Sequence, residues 1–208
     1  MTTPSSPSSD VAFTDRVKAE QSRRGSRAAY ARLEREGGFE VEIGDDLAAF
    51  VASQRSAFLA TASAGGQPYV QHRGGPPGFL QVLDPRTIAF ADYAGNRQYI
   101  SLGNLAENPK VHLFLIDYQR RQRVKIWGEA RVIEDDDALL ARLTPAGYRA
   151  RAERAIVIRV SAWDANCPQH IPQRLEAADV EAALETRDAR IADLEAQVKA
   201  LRAKHPAS

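Results

Sequence analysis

The stretch AFLATASAGGQPYVQHRGGPPGFLQVLDPRTIAFADY, Ala57 to Tyr93, decides the fold. Ala57 to Ser63 is a short apolar, strand-like run, and Ala64-Gly65-Gly66 ends it in a turn. Tyr69 to Arg73 and Phe79 to Leu83 flank Gly74-Gly75-Pro76-Pro77-Gly78, which must be a loop or a sharp corner. Asp84-Pro85-Arg86 turns the chain again before a further strand from Thr87 to Asp92.

The same alternation continues downstream. Val111 to Tyr118 and Arg123 to Ile133 read as strands on either side of the basic turn Gln119 to Gln122, and Ile156 to Trp163 as the last strand. Only one helix, about Arg97 to Leu105, interrupts them. Strands joined by short turns predict a mainly β fold, a closed antiparallel β-barrel with added helices. Upstream, Phe13 to Glu36 is charged, with Ala, Leu and Tyr spaced for one amphipathic helix that Gly37-Gly38 stops, and Asp45 to Arg55 is a second, with Leu47, Phe50 and Val51 on one face. The expected organisation is a disordered Ser/Pro-rich tail at 1–12, a helical extension at 13–55, the barrel at 56–174 and a C-terminal helix at 175–208. In Ala177 to Lys204, Leu184, Ile191, Leu194, Val198 and Leu201 fall near heptad spacing, with Arg187 at a core position. That helix either lies on the domain or forms a short coiled coil between protomers.

Composition limits the function. A formal charge of +1 over 208 residues lacks the basic excess of a nucleic-acid binder. Cys167 is the single cysteine, which excludes internal disulfides and thiolate zinc clusters. No apolar run approaches the ~20 residues of a membrane helix, and Met1 to Asp10 lacks the apolar core of a signal peptide. A cytoplasmic protein that engages neither membrane nor nucleic acid is expected.

Four segments could carry chemistry. In Phe90–Tyr99 (FADYAGNRQY) a strand ends at Asp92, a Gly-containing turn follows and a helix is expected near Asn96. Unpaired first-turn amides and the helix dipole favour an anion there, and Arg97 adds a guanidinium matched to phosphate oxygens. The plainer reading is an Asn96 cap beside a surface arginine. Arg120, Arg121, Arg123 and Lys125 cluster around the next turn; on a strand Arg121, Arg123 and Lys125 share one face, which either meets an anion or guards an edge. Gln71-His72-Arg73 precedes the Gly/Pro corner and either lines a polar pocket or faces solvent. Trp163–Arg174 (WDANCPQHIPQR) is rich in Cys, His and amide groups. Cys167 and His170 could be a nucleophilic pair or half a metal site, but a loop closing over a ligand, with Asn166, Cys167, Gln169 and His170, suits the segment better. No GxGxxG, GxxxxGK[ST] or GxSxG occurs.

From Phe58 to Arg174 the chain resembles the pyridoxamine 5′-phosphate oxidase-like, FMN-binding split-barrel family, in its pyridoxamine 5′-phosphate oxidase-related branch. The resemblance rests on Phe58–Ser63 (FLATAS), Gln67–Asp84 (QPYVQHRGGPPGFLQVLD), Phe90–Pro109 (FADYAGNRQYISLGNLAENP) and Trp163–Arg174, in that order. It implies a six-stranded antiparallel split β-barrel and a homodimer with FMN in a groove between protomers. Where the family grips the flavin phosphate with Ser-Arg-Lys, this chain has Asn96, Arg97 and Gln98. The charge lost at Gln98 would be made up by Arg73 or by the Arg121–Lys125 row. Asp92 and Tyr93 would lie beside the ribityl chain and Gln71 near the ring edge. Arg123 stands where the family has a Gln reaching the flavin, with Lys125 beyond it and His72 between Gln71 and Arg73. The family's Arg-containing substrate motif is not recognisable after Trp163, so its substrate does not carry over. The expected function is an FMN-dependent oxidoreductase acting on an unidentified small molecule, with NADH or NADPH as candidate donor. The alternatives are a non-catalytic flavin-binding, storage or stress protein, and a haem-binding barrel with His72, His112 or His170 as axial ligand.

Overall fold

The computed structural model describes residues 6–166 and 168–204. The described chain divides into two compact units. One runs to Asp117 and resumes from Gln122 to Pro168; the other comprises Tyr118–Arg121 and the chain from Gln169. The N-terminal helices therefore belong with the strands.

The first unit is a single seven-stranded antiparallel sheet, one strand more than expected. Its strands are β1 (Ser56–Ala62), β2 (Pro68–Gly74), β3 (Leu80–Asp84), β4 (Thr87–Tyr93), β5 (Lys110–Asp117), β6 (Gln122–Ile133) and β7 (Ala152–Asn166), paired in the order β2-β1-β5-β6-β7-β4-β3. Alternation sets which residues face inward. On β1 Ala57, Leu59 and Thr61 are buried while Phe58 and Ala60 are half-buried, and β5 buries Val111, Leu113 and Leu115 in the same way. These side chains join Ile88, Phe90, Ile126, Ile156 and Ile158 in one core, which α3 (Asp45–Ser53) caps with Leu47, Phe50 and Val51. A sheet in which every strand but β2 feeds one core is curled around it. Arg73 on β2, at one end of the strand order, bonds Asp92 on β4, next to the other end, so the curl brings the two ends together. No ladder joins β2 to β3 among the described residues. The barrel is split there.

β4 is buried on both faces, as Thr87–Asp92. Its outward Ala89 and Ala91 are small enough for α5 (Asp137–Leu143) to pack Leu143 against them and against Ala155 and Val157 of β7. Asp136 caps α5, its side chain accepting from the Leu139 amide at 2.8 Å. The single helix expected over Phe13–Glu36 is two, α1 (Asp15–Arg23) and α2 (Arg27–Arg35), because Gly25 between them adopts φ +79°. Phe39 stacks on Trp127 with ring centroids 5.3 Å apart, and Phe13 packs edge-on against Phe39 and Tyr30, tying this segment to the outer face of β6.

α4 runs Ile100–Glu107 rather than from Arg97, and β7 extends beyond the expected Ile156–Trp163 at both ends. In the second unit, α6 (Ala177–Lys204) follows a segment in which Gln173 Nε2 donates to the Gln119 carbonyl and the Arg174 guanidinium lies 4.4 Å from the Tyr118 ring centroid. Among the described residues no helix is long and apolar enough to cross a membrane.

The β6–β7 ladder shifts register at Trp127/Gly128, and a Cβ on Gly128 would stand 2.3 Å from the Arg159 carbonyl oxygen. Backbone cannot yield as a flexible side chain does, so Gly128→Ala is expected to destabilise the fold by about 1–3 kcal/mol in urea unfolding. An unchanged midpoint would contradict this account of the bulge.

Candidate functional site

At the split, the inward faces of the strands stop being apolar. On β2 the residues opposite buried Leu59 and Ala57 are Gln71 and Arg73. On β4 the inward series Ile88, Phe90 continues to Asp92, and on β7 the series Ile158, Ile156 continues to Arg154, directly paired with Asp92. Period-two geometry thus points two guanidiniums and a carboxylate into the mouth of the core.

Asp92 is the hub. One of its oxygens accepts from Arg73 Nη1, and the other accepts from Arg154 Nη1 at 3.2 Å. Side-chain exposure is only 7% for Asp92 and 13% for each arginine, so these charges are held largely out of water. Burial opposes the charge on Arg154, but the hydrogen bond and charge of Asp92, with Glu153 and Glu134, outweigh it and hold the group above the ordinary arginine value. Arg73 Nη2 also donates to Gln71 Oε1 at 2.9 Å, and Ser101 Oγ of α4 donates to the same oxygen at 2.8 Å.

A cleft of about 50 Å³ opens beside this node, lined by Gln71, Arg73, Asp92, Tyr93, Arg154 and the loop from Gly95 to Tyr99, with Ser101, Leu102 and Glu153. The loop has an unusual backbone. Arg97 and Tyr99 both take left-handed conformations, φ 60° and 56°, which cost non-glycine residues energy and recur at functional sites. Asn96 fixes the turn by accepting from the Gln98 amide at 3.2 Å, and Arg97 Nε donates to Tyr99 Oη at 3.1 Å. Tyr99 precedes α4 without a side-chain cap. Two buried polar atoms at this cleft lack a hydrogen-bond partner among the described residues: Arg73 Nε and Tyr93 Oη. Burial raises the Tyr93 pKa, with Tyr148 nearby adding to it, so the phenol stays protonated and able to donate.

Of the residues singled out in the sequence, the cleft gathers Gln71, Arg73, Asp92, Tyr93, Asn96 and Arg97. Asp92 serves as the bridge between two arginines. His72 alternates to the outer face, where its Nε2 meets Ser56 Oγ and its ring lies edge-on to Phe58. Gln98 is exposed and contributes its backbone amide to the Asn96 turn. Arg123 and Lys125 alternate with buried Val124 and Ile126 and so lie on the outer face of β6, where Lys125 pairs with Asp164 at 2.7 Å. Arg121, with φ 53°, lies in the turn before β6 and is not part of a three-residue row. Gln169 and His170 are in the second unit, both exposed, with φ 63° at His170. Cys167 and the Asn166 side chain lie outside the described residues. Arg154 is the residue that sequence reading missed. One further step of the Ile158, Ile156 alternation would have found it.

A much larger concavity, about 700 Å³, lies around Leu83, Thr87, Ala130, Arg131, Leu139 and Arg159 and has no such node. His112, on the outer face of β5, lies edge-on to Trp127 at 5.1 Å. Burial, with the positive charge of Lys125, lowers its pKa.

Two outcomes follow from these charges. Removing Asp92 leaves two largely buried guanidiniums facing each other, so Asp92→Ala should cost about 3–5 kcal/mol in urea unfolding; a loss under about 1 kcal/mol would show that the node does not hold the split. For His112, the unfolded chain takes up its proton at higher pH than the folded one. The stability from a neutral His112 is therefore complete above about pH 6.5 and lost as the pH falls below it. Unfolding midpoints of the parent should drop between about pH 7 and 5 more steeply than those of His112→Gln; equal slopes would contradict the assignment.

No curated protein sequence is recognisably similar to this chain. Among solved structures it resembles HupZ of group A Streptococcus (18% identity, 64% of this chain and 99% of that one, TM-score 0.49). It also resembles an FMN-binding protein of Syntrophomonas wolfei (12% identity, 72% and 97%, TM-score 0.47) and General Stress Protein 26 of Bacillus anthracis (16% identity, 56% and 87%, TM-score 0.43). The family model described as pyridoxamine 5′-phosphate oxidase matches residues 43–167, more than half of the chain and every strand of the split barrel up to the end of β7. The chain belongs to the pyridoxamine 5′-phosphate oxidase family.

Proposed function

We propose that this protein binds FMN with the phosphate at the cleft beside Asp92, and that it is an FMN-dependent oxidoreductase acting on a small molecule. The observation that carries the reading is the pair of unpartnered donors, Arg73 Nε and Tyr93 Oη, in a cleft that also presents Arg97 and Arg154. Buried donors without acceptors are uncommon, and a bound phosphate would supply the acceptors these two lack. Counting the lining charges, three arginines against Asp92 and Glu153 leave a net +1, the sign a phosphate requires. These residues fit the phosphate end of FMN.

Each has a separate part. Asp92 holds Arg73 and Arg154 in fixed orientations, so little rotamer entropy is lost when an anion arrives. Arg97, with Tyr99 as its hydrogen-bond partner, is free to turn its fork toward phosphate oxygens. Gln71 and Ser101 form a neutral hydrogen-bonding wall. FMN when bound supplies electron and hydride transfer, and the protein supplies orientation and electrostatics.

Size supports a homodimer. The cleft has space for less than two water molecules' share of liquid volume, whereas pockets for drug-sized ligands are several-fold larger. It suits an anionic group; the ring system must be enclosed by other surface, and a second copy of the chain is the occupant this reading assigns.

The test is a titration of the full chain with FMN, followed by flavin absorbance and fluorescence. Binding with a shifted spectrum is expected, and Arg97→Ala should weaken it roughly ten- to a hundredfold. Arg97 is exposed, so the variant should fold like the parent. Unchanged affinity in that variant would remove the phosphate from this cleft, and no binding at all would end the flavin reading. Anaerobic NADH or NADPH should then bleach the bound flavin; failure of both donors would leave a binding protein rather than an oxidoreductase.

A further inference from the structure

Every residue of α6 from Ala177 to Arg202 is exposed, and its large apolar side chains are 38–58% exposed. They are not scattered. Val180, Leu184, Ile191, Leu194, Val198 and Leu201, with Arg187 filling the one gap, follow each other at alternating steps of four and three. That is a heptad seam, apolar at every position but Arg187, in which Ala177, Leu184, Ile191 and Val198 occupy a and the others d. A seam of period 3.5 drifts around a straight helix unless a second helix supercoils with it. Helices of this kind also draw most of their stability from the packing of their apolar face rather than from propensity.

We propose that α6 pairs with α6 of a second copy as a parallel, in-register, two-stranded coiled coil. This goes beyond the flavin reading and does not rest on it. β-branched Ile191 and Val198 at a, with Leu194 and Leu201 at d, is the combination that favours two parallel strands. Charge points the same way. In a parallel pair Arg190 at g faces Glu195 at e of the second copy, twice by symmetry. An antiparallel pair sets e against e, bringing Asp188 opposite Glu195, two carboxylates. Within its own helix Arg190 holds Asp193 at 2.6 Å, with side chains 64% and 51% exposed, so little is lost when it turns to Glu195. Arg187 at d is the polar intrusion. Its Nη2 lies 3.4 Å from Asp188, and in the parallel pair Asp188 of each copy flanks both guanidiniums. A charged core position of this kind fixes register at some cost in stability.

The test uses the full chain with Cys167→Ala, which removes the one native thiol. Val180→Cys and Leu194→Cys, each alone, should form covalent dimers under mild oxidation roughly tenfold or more faster than Ala196→Cys, which sits on the opposite face of the helix. Cross-linking only in a mixture of Leu184→Cys and Leu201→Cys, an a position against a d position, would show an antiparallel pair and overturn the proposal. Rates equal to the Ala196→Cys control would also overturn it, because α6 would then pack on something other than its copy. Since cross-linking needs no FMN, a protein that takes up no FMN in the titration yet still cross-links would sink the flavin reading alone.

Discussion

The arrangement of the split depends on one carboxylate. Apolar burial curls the sheet, since every strand from β1 to β7 except β2 sends side chains into a common core. Burial is non-directional, however, and does not say where the two ends of the strand order should meet. Asp92 does, because its two oxygens hold Arg73 from β2 and Arg154 from β7 at once. Backbone contacts assist nearby: the Gly75 and Gly78 amides donate to the Arg55 and Ala52 carbonyls, fastening the Gly/Pro corner to the end of α3. A hydrophobic trio of similar volume would hold the seam as well or better, because desolvating three charges offsets most of their attraction. Stability is therefore a poor reason for these residues. Two fixed guanidiniums facing an opening are a better one.

Much of this was legible in the chain. The strand-and-turn rhythm of Ala57–Tyr93 and the inward series on β1, β4 and β5 are local patterns, and local patterns survive into the structure. Gly25 was passed over: a glycine in the middle of a charged helical pattern is a break signal, yet a single helix was expected across it where there are two. The start of α4 was not legible. Asn96 resembles an N-cap, yet Arg97 and Tyr99 take left-handed conformations that nothing in their chemistry announces, and the helix waits until Ile100. α5 was missed because DALLARL is only seven residues long, too short for helical periodicity to stand out. Its existence depends on Ala89 and Ala91 leaving room above β4, a tertiary fact.

The site was half legible for the same reason. Arg73, Asp92 and Arg97 lie in runs that look functional, but their meeting is a consequence of the curl. Arg154 lies 62 residues from Asp92 along the chain, and only the β4–β7 register makes them partners. Cations that are neighbours in the sequence do not form one row in the fold, because Arg121 lies in the turn before β6. Arg123 and Lys125 share a strand face, but that face is the outer one, and Asp164 on the next strand answers Lys125.

On the proposed function, the same hub that fixes the seam would also decide which cation meets an arriving anion. Arg73 and Arg154 are already neutralised in part by Asp92, and Arg154 further by Glu153 and Glu134, so neither offers its full charge to a ligand. What they offer is position: donors held in place, with Arg73 Nε still unpaired. Arg97 is the reverse case, a full charge on an exposed loop whose backbone is constrained and whose side chain is not. An anion bound at this cleft, as proposed, would therefore gain orientation from the buried pair and attraction from the exposed arginine. On the proposed function, an anion held there only while the split is assembled would also stabilise the folded chain by mass action. On that reading, ligand affinity and the integrity of the seam would be one coupled quantity, with Asp92 contributing to both.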